Sequence, residues 1–385
     1  MSRERAGNAV AAAFLVGLGS AWNGGNVGAV ARTLAEELDV SLTAIGLLSG
    51  TVFFAAIVAA NLTASLVANR TGVAAALRIV CLLSAAGNVI CAVSPDFLSF
   101  AAGRVLTGLG LGFALVLAPV FARNAGGVKL VGVVGASIQL GIAGALVVGS
   151  VLLDAGVDWR VGFVVSAVLG ISALPFLPSR VDAEVHHKPR HLLRAELRDP
   201  DVWRLALLFV AVLGAPLVIG AWLVPYLVDS GMQAGLAGAL SFLLFASSAA
   251  LRFAGGGLSK RGVSPSVLGG VAPLIAAAGL ALLALDQSAI AVLASMLMIG
   301  AGVALPYAAA MVEGQWLFPA EPVAPLALLL LFTNTVPVFA IPIVGSALEA
   351  GNGETAMLVI AGFVAVAGVL NLRPPTHQIQ VPDPP

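Results

Sequence analysis

The chain has 385 residues, 59% of them hydrophobic and 10% charged, with a mean hydropathy of +1.03 and a formal net charge of zero. Average soluble domains are about a quarter charged, so a chain this apolar lacks the polar surface that water demands; lipid is the solvent it implies. The neutral balance supplies no field for nucleic acid or an acidic partner.

Crossing a bilayer takes about 20 mostly apolar residues. Cutting the sequence at polar and Gly/Pro clusters predicts twelve such helices. The first six lie near 9–31, 43–68, 73–93, 97–122, 130–153 and 161–178. The second six lie near 202–227, 236–257, 263–285, 289–312, 324–348 and 355–372. In the first, Arg3 and Arg5 precede the apolar run Ala9–Ala21, as in a secretory signal. Apolar character resumes after Trp22-Asn23-Gly24-Gly25-Asn26, so the reading is an uncleaved spanning helix. The third holds both cysteines, Cys81 and Cys91, which read as buried membrane residues rather than a metal pair.

One connection is long and polar. Residues 179–201 divide the chain into a six-helix bundle at 1–178 and a second at 202–372, with a tail at 373–385. Within the linker, Arg190–Asp199 suits a short helix on the inner membrane surface. His186, His187 and His191 lack the carboxylate or Cys that a metal site would place beside them, so a solvated linker is expected and no metal.

Charge sorts the connections by side. With the N-terminus in the cytoplasm, inside loops hold Arg70, Arg123, Lys129, Arg180, Lys188, Arg190, Arg194, Arg198, Lys260 and Arg261. Outside loops hold Glu36, Glu37, Asp39, Asp96, Asp154, Asp158, Asp229, Asp286, Glu349 and Glu354, with Arg160 as the main exception. Lys and Arg favour the cytoplasmic side, so an even helix count with both termini inside is expected, in a cell (inner) membrane.

The turn after the second helix reads Ala64-Ser-Leu66-Val-Ala-Asn69-Arg70-Thr-Gly72, and the turn after the eighth Gly256-Gly-Leu258-Ser-Lys260-Arg261-Gly262. Both are basic, both close on glycine, and they lie half a chain apart. The fourth helix carries Arg104-Val-Leu-Thr-Gly108-Leu-Gly110-Leu-Gly112. With Asp158-Trp159-Arg160 before the sixth helix, these stretches resemble the major facilitator superfamily over essentially the whole chain. Its first-loop signature, Gly-x-Leu-x-x-Asp-Arg-x-Gly, is met by Leu66, Arg70 and Gly72, while Ala64 and Asn69 replace the glycine and the aspartate. The resemblance implies an all-α polytopic fold of two pseudo-symmetric six-helix bundles that rock about a central site. It further implies a cytoplasmic gate at Asn69, Arg70, Gly72, Lys260, Arg261 and Gly262, an outer brace at the Asp-Trp-Arg turn, and a solute or proton role for Arg104. Drug antiporters of the superfamily carry a Gly-Pro-rich fifth helix; here Gly135, Gly141, Gly144 and Gly149 have no proline among them.

A solute site in such a fold lies near the midplane, and Trp22, Asn23, Asn26, Gln139, Trp222, Tyr226, Tyr307, Thr333 and Asn334 have suitable depth. Each reads equally as cavity lining or as a helix–helix hydrogen bond, with an interfacial aromatic belt open for Trp222 and Tyr226. Arg104 lies within an apolar span, where insertion costs about 2.5–3.5 kcal/mol, so it should face the bundle interior. Arg32, Arg78 and Arg252 lie near helix ends and can snorkel. Glu313, at the inner end of the tenth helix, is the carboxylate closest to a span, and the cavity is neutral to positive.

The expected function is therefore secondary active or facilitative transport of a small anionic or neutral polar solute by a monomer in the bilayer, with a proton or other ion as a conceivable co-substrate. Proton-linked multidrug efflux is the alternative. A membrane enzyme would need a nucleophile, metal ligands or paired carboxylates in one cavity, and the four histidines fall in linker and tail, so no catalytic residue and no cofactor is expected. A receptor does not require the half-chain repeat. The stretch from Gly255 to Arg261 lacks the spacing of a nucleotide-binding loop, which leaves an ion gradient or the solute's own gradient as the energy source.

Overall fold

A computed structural model describes residues 3–178, 199–316 and 323–373, and among them every regular element is helical. Helices stand at all twelve predicted positions. Ten are long and apolar enough to cross a bilayer: Leu42–Thr71, Val73–Val93, Phe97–Gly127, Lys129–Asp154, Pro200–Asp229, Ala234–Arg252, Ser266–Leu285, Ala289–Gly314, Leu328–Glu349 and Gly353–Asn371. The first position is filled by Arg3–Ala21 and Asn26–Glu37 with a 3-10 turn, Trp22–Gly24, between them. The sixth is the shorter Arg160–Phe176. These are named spans one to twelve below.

Local chemistry sets the boundaries. Ser41, Asp96, Ser264 and Ser288 cap helices, accepting the N–H of Ala44, Ser99, Val267 and Ala291 at 3.1, 2.8, 3.3 and 3.4 Å. Spans four and five are separated at Gly127, whose φ of 69° and ψ of −160° no helix contains. The tenth span breaks between Ala304 and Tyr307, where Pro306 supplies no backbone N–H. Apolar side chains are left facing outward, Leu98 at 77% and Ile290 at 82% exposure, as lipid allows and water does not. The expected linker helix from Arg190, the three linker histidines and the tail from residue 374 lie outside the described residues.

Cα packing gathers the described residues into two compact units. The first comprises the chain through residue 178 with Leu217–Ala249 and Pro337–Gly353; the second comprises 199–216, Ala250–Val336 and the chain from Glu354. These units cut through the seventh, eighth and eleventh spans rather than at the polar stretch 179–201, because one end of each of those spans packs with the first six.

Within the first unit, small residues let helices touch. A Cβ on Gly108 would lie 2.5 Å from the Phe53 carbonyl and one on Gly112 2.6 Å from that of Ile57, so the fourth span lies flat on the second. Gly110, turned the other way, faces Ser84 and Val80 of the third span. Gly141 and Gly144 of the fifth span give room to Leu18 and Trp22 of the first.

Candidate functional site

Arg104 is 1% exposed, and its surroundings are neutral. Its Nη1 donates to the Asn23 carbonyl at 3.0 Å and to Asn26 Oδ1 at 3.2 Å. Its guanidinium carbon lies 3.9 Å from the centroid of the Phe53 ring, a cation–π stack from the second span. Its Nε is buried without a hydrogen-bond partner. Among the described residues no carboxylate forms an ion pair with it.

The amides around it form a chain. Asn88, on the third span, donates from Nδ2 to Asn23 Oδ1 and to the Ser84 carbonyl, each at 2.7 Å, and accepts at Oδ1 from Asn26 Nδ2 at 3.2 Å. Asn26 Nδ2 also reaches Ser166 Oγ of the sixth span at 3.5 Å. Asn23 donates back to the Ser20 carbonyl at 3.0 Å. Five spans therefore meet at one buried polar knot. Asn23 and Asn26 join Arg104 there, and their hydrogen bonds run helix to helix. Asn88 was not among the sequence candidates; its only signal is an amide among apolar residues at the depth of Arg104.

The remaining candidates are spread out. Trp22 is buried against Gly144, and Gln139 is buried on the fifth span. Trp222 donates from Nε1 to the Ile341 carbonyl at 2.8 Å, which ties the seventh span to the eleventh and makes it no part of an interfacial belt. Tyr226 is buried, near Gly353. In the second unit, the Tyr307 ring lies 4.2 Å from the Arg252 guanidinium carbon, so Arg252 packs inward on an aromatic face. Thr333 and Asn334 each bond a carbonyl one turn back on their own helix, at 2.9 Å.

Both basic turns hold a glycine with positive φ. Gly72 has φ 83° and Gly262 φ 85°; for Gly72 the ψ of 150° places it in a region that glycine alone occupies without strain. Asn69, Arg70 and Arg261 are exposed, and Lys260 ends the eighth helix. Arg78 donates to the carbonyls of Leu177 and Pro178 at 3.0 and 2.9 Å, closing the sixth span. At the opposite end Arg160 stacks on Trp159 at 4.4 Å and bridges to Glu37 at 2.9 Å and Asp158 at 3.4 Å, the brace expected of that turn.

A second buried charge cluster escaped the sequence reading. Arg204 pairs with Glu313, bonds Asp201 Oδ1 at 3.1 Å and Asn371 Oδ1 at 2.8 Å, and Asn371 Nδ2 returns to the Arg204 carbonyl at 3.2 Å. Its sequence signal is the Asp-x-x-Arg spacing in the first turns of the seventh span, three residues apart on one face.

A family model described as Major Facilitator Superfamily matches residues 12–324. No curated protein matches the chain. Among solved structures, a bacterial homolog of the human lysosomal transporter Spinster, in an inward-facing and unoccupied conformation, superposes with a TM-score of 0.76 at 18% identity over 97% of both chains. A nucleoside transporter matches with a TM-score of 0.76 at 16% identity, over 94% of this chain and 98% of that one. A D-xylose–proton symporter matches with a TM-score of 0.73 at 16% identity over 96% of both.

Proposed function

We propose that this chain, which belongs to the Major Facilitator Superfamily, carries a small anionic or neutral polar solute and recognises it through Arg104. It is a multi-pass membrane transporter working by alternating access, not an enzyme. The solute class rests on one observation: a buried guanidinium that bonds neutral oxygens alone and leaves Nε unmet. A cation removed from water without a counter-charge is expensive, and a charged oxygen acceptor forms stronger hydrogen bonds to it than an amide does. An arriving carboxylate, phosphate or sulfonate can therefore displace an Asn carbonyl from Arg104 and gain by it.

The polar groups on the same knot, Asn23 and Asn26, would adjust to the solute, and Trp22, Gln139, Trp222, Tyr226, Tyr307 and Asn334 are assigned to solute or coupling contacts by depth. Asn69, Arg70, Gly72, Lys260, Arg261 and Gly262 are assigned to the cytoplasmic gate, the division into 1–178 and 202–372 to the two rocking bundles, and both termini to the cytoplasm of a cell with the protein in its inner membrane. The charge sorting of the loops and the paired turns support these assignments. A monomer is proposed, with coupling to a proton or another ion.

The test is uptake into vesicles reconstituted with wild type, Arg104→Lys and Arg104→Gln, across labelled carboxylates, phosphate, nucleosides and sugars, with and without a pH gradient. Wild type transports an anion of the panel, R104K retains part of that transport and R104Q loses it. Equal anion transport by R104Q and wild type overturns the role of Arg104.

A further inference from the structure

The helix ends that carry Glu37, Asp154, Asp158, Asp229 and Glu349 lie together in the first unit, and three ties there join the two halves of the sequence by one design. The fifth span ends in Asp154, whose Oδ2 accepts the backbone N–H of Gly235 at 2.5 Å in the first turn of the eighth span. The eleventh span ends in Glu349, whose Oε2 accepts the backbone N–H of Thr43 at 3.3 Å and its hydroxyl at 2.9 Å in the first turn of the second span. Counted within each set of six, the fifth and eleventh spans correspond, and so do the second and eighth. Each half thus caps the second helix of the other with a carboxylate from its own fifth. Arg32 at the end of the first span pairs with Asp229 at the end of the seventh, again corresponding positions.

Glycines on the capped helices make the approach possible. A Cβ on Gly235 would lie 2.5 Å from Asp154 Oδ2, and one on Gly238 2.5 Å from Ser150 Cβ. On the second span, a Cβ on Gly46 would lie 2.6 Å from Pro342 Cα and one on Gly50 2.8 Å from Ile341 Cβ. Thr51 Oγ1 adds a bond to the Val338 carbonyl at 2.7 Å.

We propose that the reciprocal caps of Asp154 and Glu349 form a latch that holds this end of the transporter shut. The first N–H groups of a helix have no partner inside it, and the helix dipole favours an anion there. Separating the halves at this end takes the carboxylate from both helix starts at once. Water can replace each lost bond, so the latch weights the closed state without making it permanent, as alternating access requires. A cavity of about 530 Å³ lined by Arg32, Glu36, Asp39 and Glu349 brings that water beside one of the caps.

Spin labels on cysteines introduced at Ala155 and Ala350 test this. Both residues are exposed at this end and belong to opposite halves of the sequence, while Cys81 and Cys91 are buried out of reach of the label. In nanodiscs, wild type gives mainly one short distance, and D154N/E349Q gives severalfold more of a longer-distance population. D158N removes a carboxylate at the same end that accepts from Arg160 within one half, and it leaves the wild-type distribution in place. An unchanged distribution in D154N/E349Q overturns the latch, and so does an equal shift in D158N. If the double variant does not fold, D154N and E349Q are read singly, and a folded single variant without the longer population also overturns it.

Discussion

At the scale of single residues, the buried amides decide more than their number suggests. Asn88 donates to Asn23 and accepts from Asn26, so it fixes which end of the Asn26 amide is presented to Arg104. Asn88→Leu leaves Asn23 Oδ1 without that donor at a fully buried position, and an orphaned buried polar group costs about 1–3 kcal/mol. The expected outcome is a lowered unfolding temperature in detergent together with weaker anion uptake, while Asn88→Ser keeps a hydroxyl in place and loses less of both. Outside the spans, the carboxyls of Asp96 and Asp286 are held below the usual range, chiefly by the backbone N–H of Ser99 and of Ser288. A carboxyl whose folded pKa is depressed stabilises the fold above its unfolded pKa, and that contribution fades as pH falls through the folded value. Wild type should therefore exceed Asp96→Asn in thermal stability at neutral pH, and the gap should close on acidification below the ordinary carboxylate range. A gap that ignores pH would separate the cap from its charge.

At the scale of elements, glycine position predicts which helix pairs tolerate a side chain. Gly108 faces the Phe53 carbonyl with room for hydrogen alone, whereas Gly162 meets nothing within 4 Å. Gly108→Ala should push the second and fourth spans apart at a cost of about 1–3 kcal/mol, the range for overpacking. Gly162→Ala should be neutral or gain about 0.5–1 kcal/mol by stiffening the helix. Parallel melts of the two variants check the contrast. Gly72 is open space too, yet its φ of 83° makes alanine strained there by about 1–3 kcal/mol, so Gly72→Ala should destabilise although nothing touches it.

At the scale of the whole molecule, charge is placed where helices from distant parts of the chain meet. Arg204, Asp201, Glu313 and Asn371 join the seventh, tenth and twelfth spans of the second unit, with the carboxylates of Asp201 and Glu313 both 6% exposed. Removing Arg204 strands two buried carboxylates, and breaking a buried ion pair from one side costs about 3–5 kcal/mol. Arg204→Met should melt well below wild type, and adding Asp201→Asn with Glu313→Gln should recover part of the loss; a triple variant no better than the single would mean that the cluster does more than balance charge.

The positions of the helices and their approximate limits were legible from composition and periodicity, because lipid demands long apolar runs and each run ends in recognisable polar or glycine chemistry. The glycines of the two basic turns were legible for the same reason: a φ near 85° strains most side chains, so such a turn favours glycine. Arg104 stood out because a charge inside an apolar run has few explanations. Its partners did not. Asn88, Ser166 and the Asp154 and Glu349 caps depend on which helices lie side by side, and no spacing along the chain carries that information. The tertiary structure alone decided that Asn23 and Asn26 turn toward Arg104, that Trp222 reaches Ile341, and that two carboxylates cap helices in the opposite half, since each of these is a contact between segments that only packing brings together.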